Sequence, residues 1–339
     1  MLRGALIGFG KIAGTGHVPA LKDERIRSRL EVTAVVDPDE NAWEKARQMF
    51  PGVHCYPSVA DLLQNEEIDF ADICSPPVFH GEAIRACAGR GIHMLCEKPL
   101  AAIPAEVRAL EKTLADRPDL VFVPCHQYRY SPVWKQFKSF IEQNGDQSRF
   151  LLQCSVFRTN PDQGYFAANA GWRTDRAVSG GGILADTGVH YISLCLWLLG
   201  APVKLQASVL RLNHRQLAVE DTAVVWFECQ SGVMEVVLTW GADRRANSAR
   251  IVSAGGSLSY DGRVLEKASP SGTEIVPVPD AADKSTYVGM YVSLFEEFCD
   301  RVENRSGSGP WLAEAVRSAK ILHMCYESSA SGRAIETGW

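Results

Sequence analysis

At 339 residues the chain is longer than one hydrophobic core usually supports, so two domains are expected. A hydrophobic share of 46%, a charged share of 22% and a net charge of -5 describe a folded globular protein and exclude a disordered one. Scattered Lys and Arg outnumbered by Asp and Glu leave no basic field for nucleic acid or an anionic membrane.

In the first third, short β-branched runs alternate with amphipathic stretches, the pattern of βαβ units and a parallel sheet. Strands are predicted at Leu2–Ile7, Leu30–Val36, Phe70–Cys74, His93–Cys96 and Leu120–Pro124, with helices at Val18–Asp23, Glu40–Met49, Val59–Asn65, Gly81–Arg90 and Pro104–Asp116. After Tyr128 the character changes: a helix is predicted at Pro132–Gln143, then strands at Leu151–Phe157, Lys204–Arg211, Thr222–Glu228, Val233–Trp240 and Ala249–Ser253. These strands lack regular intervening helices and read as an antiparallel sheet, interrupted by one large helix at Ile183–Leu199. The apolar part of that helix is too short for the ~20 residues of a membrane span, so it reads as buried. Two helices, Tyr287–Asn304 and Trp311–Ser328, end the chain. The ten cysteines form no Cys-x-x-Cys pair and read as reduced core residues. Leu2–Gly10 lacks the order of a signal peptide, and a cytoplasmic location is expected.

The first strand runs into Gly8-Phe9-Gly10-Lys11-Ile12-Ala13, a G-x-G-x-x-A turn. Gly8 permits the tight turn, Gly10 lets the backbone approach a pyrophosphate, and Ala13 allows close helix–strand packing. Phosphate charge would rest on the following helix N-terminus. The second strand ends at Asp37, near the ~20-residue offset at which a carboxylate meets the ribose hydroxyls. A carboxylate there repels a 2′-phosphate and favours NAD, although NADP stays open because the gap is long and Lys22–Arg29 is basic.

Three blocks then become specific: Asp72-Ile73-Cys74-Ser75-Pro76-Pro77 with His80; Cys96-Glu97-Lys98-Pro99-Leu100; and Gly171-Trp172-Arg173 followed by Ser179-Gly180-Gly181-Gly182-Ile183-Leu184-Ala185-Asp186-Thr187-Gly188-Val189-His190. With the glycine turn, and in this order, they resemble the glucose–fructose oxidoreductase/inositol dehydrogenase (Gfo/Idh/MocA) family across nearly the whole chain. The resemblance implies a fold of class α/β plus α+β. Residues 1–126 form a Rossmann domain with a parallel sheet. Residues 127–339 form an α+β domain with a large, mostly antiparallel open sheet that binds substrate and pairs subunits, the C-terminal helices being free to pack back on the first domain.

The resemblance implies cofactor contacts at Gly8, Phe9, Gly10, Lys11, Ile12, Asp37, Cys74, Ser75, Pro76, His80, Glu97 and Lys98. It makes Lys98 the proton-transfer residue, a role that partial desolvation of the ammonium assists. Asp186 and His190, spaced i,i+4 and so on one helix face, join it as a catalytic pair, with the imidazole suited to a proton relay. Tyr128, Trp172 and Arg173, with Lys98, Asp186 and His190, are candidate substrate contacts; for Trp172 and Arg173 a packing or interface role is equally open. A metal on the Asp186–His190 pair would need further His or Cys ligands, which the sequence does not point to, so no metal is expected. Ser193 stands where many relatives carry an acid three positions after the histidine. The Ser179–Gly182 run is read as permitting close approach of a ligand.

The implied activity is NAD(P)-dependent hydride transfer to or from a carbinol or carbonyl carbon of a sugar, sugar derivative or polyol. Two other readings stay open: an NAD-dependent glycoside hydrolase or lyase on the same site, and a non-catalytic NAD(P)-binding sugar sensor. A homodimer or homotetramer through the second sheet is expected.

Overall fold

The structure is a computed structural model that describes residues 1–145, 149–160, 171–278 and 286–339. By internal contacts it divides into two compact units, Met1–Gln127 with Tyr287–Arg317, and Tyr128–Thr286 with Ser318–Trp339. Segment 287–317 is thus the part of the C-terminal region that belongs to the first unit. Of residues 159–170 only Thr159 and Asn160 lie within the described residues.

The first unit carries a parallel sheet of β1 (Leu2–Ile7), β2 (Leu30–Val36), β3 (His54–Tyr56), β4 (Phe70–Ile73), β5 (His93–Cys96) and β6 (Phe122–Pro124). Their order, β3-β2-β1-β4-β5-β6, reverses direction of growth beside β1, the switch point at which open α/β sheets bind ligands. β4, β6 and the last four residues of β1 are buried on both faces, which explains their nearly continuous apolar runs. Helix Pro77–Arg90 starts four residues before the predicted Gly81; Pro77 fits its first turn, and Gly91 closes it at φ 78°.

The long gap between the glycine turn and Asp37 is filled by helical segments at Ala13–His17, Val18–Leu21 and Glu24–Arg27. The three arginines there are paired. Arg25 pairs with Asp23 and Glu296, Arg27 with Glu24, and Arg29 with Asp300 and Glu303. They are therefore not spare cations that would favour a 2′-phosphate.

The second unit holds β7 (Phe150–Phe157), β8 (Pro202–Leu210), β9 (Thr222–Cys229), β10 (Gly232–Thr239), β11 (Ala246–Ser253), β12 (Gly256–Tyr260), β13 (Val264–Ser269), β14 (Gly272–Pro277) and β15 (Ile335–Glu336). They form one sheet, ordered β14-β13-β12-β11-β7-β10-β9-β8-β15, antiparallel except where β7 runs parallel to β10. Strict alternation sorts the residues. Leu152, Cys154, Val156, Met234, Val236 and Leu238 face inward and are buried against the helices Pro132–Asn144 and Val189–Leu198. Leu151, Phe157, Val224, Trp226, Val233, Val237 and Val252 lie on the opposite face, half-buried or exposed. All ten cysteines are free thiols, nine of them buried. Among the described residues no helix is long and apolar enough to cross a membrane.

Candidate active site

β1 ends in Gly8, whose φ of 91° is left-handed and costs a side-chain-bearing residue strain. Its N–H donates to the Val36 carbonyl at 2.7 Å. The next N–H, of Phe9, donates to Asp37 Oδ2 at 2.8 Å, while Asp37 Oδ1 accepts the Asp39 N–H at 2.9 Å. Asp37 therefore pins the glycine turn to the end of β2, and each of its oxygens keeps a lone pair for a further donor. A Cβ at Gly10 would meet nothing within 4 Å, so the turn opens onto free space. Beside it, Ser75 Oγ is buried and has no hydrogen-bond partner among the described residues, an acceptor and donor left for something else. Open cradle, helix start at Lys11, unused hydroxyl and terminal carboxylate fit the pyrophosphate and ribose of a dinucleotide.

Two of the expected cofactor residues have their side chains engaged within the protein. His80 is fully buried, with Nδ1 3.0 Å from the Pro99 carbonyl and Nε2 2.8 Å from the Ser75 carbonyl. Burial lowers its pKa. Its ring lies between the Ser75 and Pro99 segments. Glu97 is likewise turned inward, its carboxylate taken by His17, Tyr291 and the Lys98 N–H. Cys74 also directs its thiol into the protein, 3.4 Å from His17 Nδ1, which leaves only its main chain for a ligand. Lys98 itself is half-buried at the end of β5.

In the second unit, Asp186 sits in a π-helical turn, Leu184–Gly188, that runs directly into the helix Val189–Leu198 bearing His190. Such wide turns are rare and concentrate at functional sites. The i,i+4 argument assumed 3.6 residues per turn, and the π turn changes that phase. Asp186 Oδ1 accepts from Arg173 Nε at 3.4 Å and its Oδ2 from Thr187 Oγ1 at 3.3 Å, whereas His190 stacks on Tyr128 with centroids 4.3 Å apart and planes 9° from parallel. Arg173 also lies over the Trp172 ring at 4.3 Å. Arg173 thus joins Trp172 to Asp186, and Tyr128 lies against His190.

The glycine run ahead of Asp186 is closely packed. A Cβ on Gly181 would lie 1.8 Å from the Tyr326 hydroxyl, and one on Gly182 1.9 Å from the Glu220 carbonyl oxygen. Glu220 accepts from Tyr326 Oη at 2.7 Å and from the Leu184 N–H at 3.2 Å. Close packing against this clamp disfavours side chains at 181 and 182.

The models of two families match the chain: the oxidoreductase family with an NAD-binding Rossmann fold over residues 2–124, and the GFO/IDH/MocA C-terminal domain over residues 149–259. The chain belongs to the Gfo/Idh/MocA family. It is 27% identical to a D-apiose dehydrogenase of Paraburkholderia graminis, over 98% of this chain and 89% of that protein. It is 29% identical to inositol 2-dehydrogenase 2 of Saccharopolyspora erythraea, over 96% and 93%. An oxidoreductase from Agrobacterium radiobacter, solved in complex with NAD+, L-tartaric acid and magnesium, shares the fold with a TM-score of 0.86 at 20% identity, covering 99% of this chain and 98% of that one. This Gfo/Idh/MocA chain is an NAD-binding oxidoreductase.

What sequence reading missed is His17. It lies within 4.8 Å of Asp72 and Cys74, and of Glu97 and Cys125, sets close enough to share an ion. Both ring nitrogens, however, already face carboxylates, and a ligand imidazole must be neutral and offer a lone pair. The arrangement fits a hydrogen-bonded ion network. A signal was available: Asp72 stands inside a strand buried on both faces, and a buried carboxylate demands a partner.

Proposed function

We propose that this oxidoreductase transfers a hydride between NAD and a carbinol or carbonyl carbon of a sugar, sugar derivative or polyol, with Lys98 and His190 in proton transfer. The observation that carries the reading is the end of β5, where a half-buried lysine follows a carboxylate locked into the protein core. NAD, when bound, supplies the hydride acceptor or donor. Gly8, Phe9, Gly10, Lys11, Ile12 and Ser75–Pro76 would hold its phosphates, and Asp37 its ribose. The Lys98 amine takes or gives the hydroxyl proton. The ring stacking that orients His190 suits it to pass that proton on, and Asp186, oriented by Arg173 and Thr187, offers a carboxylate to a substrate hydroxyl. Trp172, with the Arg173 guanidinium over its ring, presents a flat apolar surface of the kind that sugar rings stack on. The substrate class follows the relatives, which are named for a branched sugar and for inositol.

The test is a panel of aldoses, D-apiose, inositols and sugar acids, each with NAD+ and with NADP+. We expect growth of the reduced-nicotinamide absorbance band with at least one polyhydroxy compound, and NAD+ preferred. Cleavage of a glycoside with no net change in that band would replace the reading by the hydrolase or lyase one. No turnover and no stabilisation by any member would leave it without support.

We also propose that the open face of the second sheet pairs with its copy in a homo-oligomer. Leu151 and Phe157 are 45% and 37% exposed there, Leu151 in register with Val233 and Val252 and Phe157 with Thr239, and exposed apolar side chains on an open sheet face suit burial against a copy. Replacing Leu151 and Phe157 together by Asp is expected to convert the species seen in sedimentation velocity to monomer. A parent protein that already sediments as a monomer rules the pairing out.

A further inference from the structure

The residue before Lys98 is fixed by a network withdrawn almost entirely from solvent. His17, fully buried in the π-helical turn Ala13–His17, places Nδ1 3.0 and 2.8 Å from the two carboxylate oxygens of Asp72 and Nε2 3.1 Å from Glu97 Oε1. That same oxygen accepts the Tyr291 hydroxyl at 2.6 Å, and Glu97 Oε2 accepts the main-chain N–H of Lys98 at 3.2 Å. Tyr291 Oη in turn accepts from Gln127 Nε2 at 3.2 Å. The imidazole is walled by the Tyr291 ring at 4.4 Å and the Phe295 ring at 5.8 Å.

A neutral imidazole carries one N–H. With a carboxylate at each nitrogen, a neutral ring would set a lone pair against an anion, so this geometry requires the doubly protonated form. The other groups around the ring cannot replace it as the cation. Cys74 and Cys125 are thiols that burial pushes far up, and Tyr291 is a phenol held neutral in the same way. Burial by itself would lower the imidazole's pKa, but the charge and hydrogen bonds of Asp72, followed by those of Glu97, outweigh it and lift His17 to about 10. Burial would raise Glu97, and the His17 hydrogen bond and charge, with Lys98 and Tyr291, bring it down to about 2.

We propose that His17 is a positioning residue: its buried imidazolium, held by Asp72, anchors the Glu97 carboxylate and with it the main chain of Lys98, so that the amine stands at a fixed place at the end of β5. The Gly16 next to it admits this packing, since a Cβ there would come within 2.6 Å of the Tyr291 ring. Glu97 therefore acts through Lys98, not on a ligand. The proposal rests on the proton-transfer role of Lys98, but its first measurement does not.

Nitrogen-15 histidine NMR of the whole protein should show both His17 ring nitrogens protonated at pH 8.5, with the assignment made by loss of the signal in His17→Gln. A single-proton tautomer at that pH overturns the proposal whatever Lys98 does. Kinetically, His17→Gln and Tyr291→Phe should each keep NAD affinity by fluorescence titration and keep KM for the best substrate of the panel above. In them kcat falls, by about 10–100-fold for His17→Gln and less for Tyr291→Phe, the range expected when a reacting group is displaced without being removed. Unchanged kcat in Tyr291→Phe and in a folded His17→Gln sinks the idea. Should His17→Gln fail to fold, Tyr291→Phe and the NMR signature decide. Turnover that survives Lys98→Ala would instead defeat the proton-transfer reading and leave the network's ionisation standing.

Discussion

Lys98→Ala is expected to lower kcat by about 10²–10⁴-fold, the usual contribution of one positioned acid–base group, while NAD binding survives. Lys98 emerges where β5 ends, and its neighbour Glu97 is held from inside the protein; truncating the amine removes the proton carrier without touching the glycine turn. Lys98→Arg separates charge from proton transfer, because a guanidinium keeps the cation but does not deprotonate in the working pH range. Steady-state kinetics with fluorescence titration of NAD checks both variants. Lys98→Arg should be nearly as slow as Lys98→Ala, and parental turnover in either would remove the lysine from the chemistry.

The second large effect belongs to the glycine turn. Gly8→Ala forces a side chain into φ 91° and sets its Cβ 2.6 Å from the Ser75 nitrogen, 2.8 Å from Ser75 Cα and 2.9 Å from the Cys74 carbonyl carbon. All three are main-chain atoms, so no rotamer change relieves the clash. The left-handed backbone alone costs about 1–2 kcal/mol, and the turn must move away from β4 besides. We expect a lower melting temperature together with at least ~100-fold weaker NAD binding, equivalent to about 2.7 kcal/mol. Gly10→Ala is the control. Its Cβ meets nothing within 4 Å, so it should keep the melting temperature and lose affinity only by crowding the phosphates. Calorimetric titration and thermal melts distinguish the two, and undiminished NAD affinity in Gly8→Ala would move the cofactor elsewhere.

The sheet framework was the most legible part of the sequence. β1, β2 and β5 occupy the predicted residues, because short, largely apolar runs bounded by glycine or charge have few other structures open to them. β3 escaped notice, being three residues long, and so did β12–β14, whose short strands carry Ser, Glu and Lys and whose last member is exposed throughout. Such strands exist because a neighbour offers an edge, and periodicity cannot report a neighbour. The site was legible where main-chain geometry dictates residue type, as at Gly8, and illegible where side chains meet across the fold. Nothing in the order of residues says that His17 would find Asp72 and Glu97, or that the His80 ring would lie between two carbonyls. Nor does sequence spacing announce the π turn at Leu184–Gly188.

The clamp formed by Glu220 and Tyr326 has a bearing on redesign. Because the scaffold itself disfavours any side chain at 181 and 182, a library aimed at new selectivity gains little diversity from those two positions. The Trp172 and Arg173 side chains meet their neighbours by ring contact and charge, and there an experimenter retuning this catalyst has room to work.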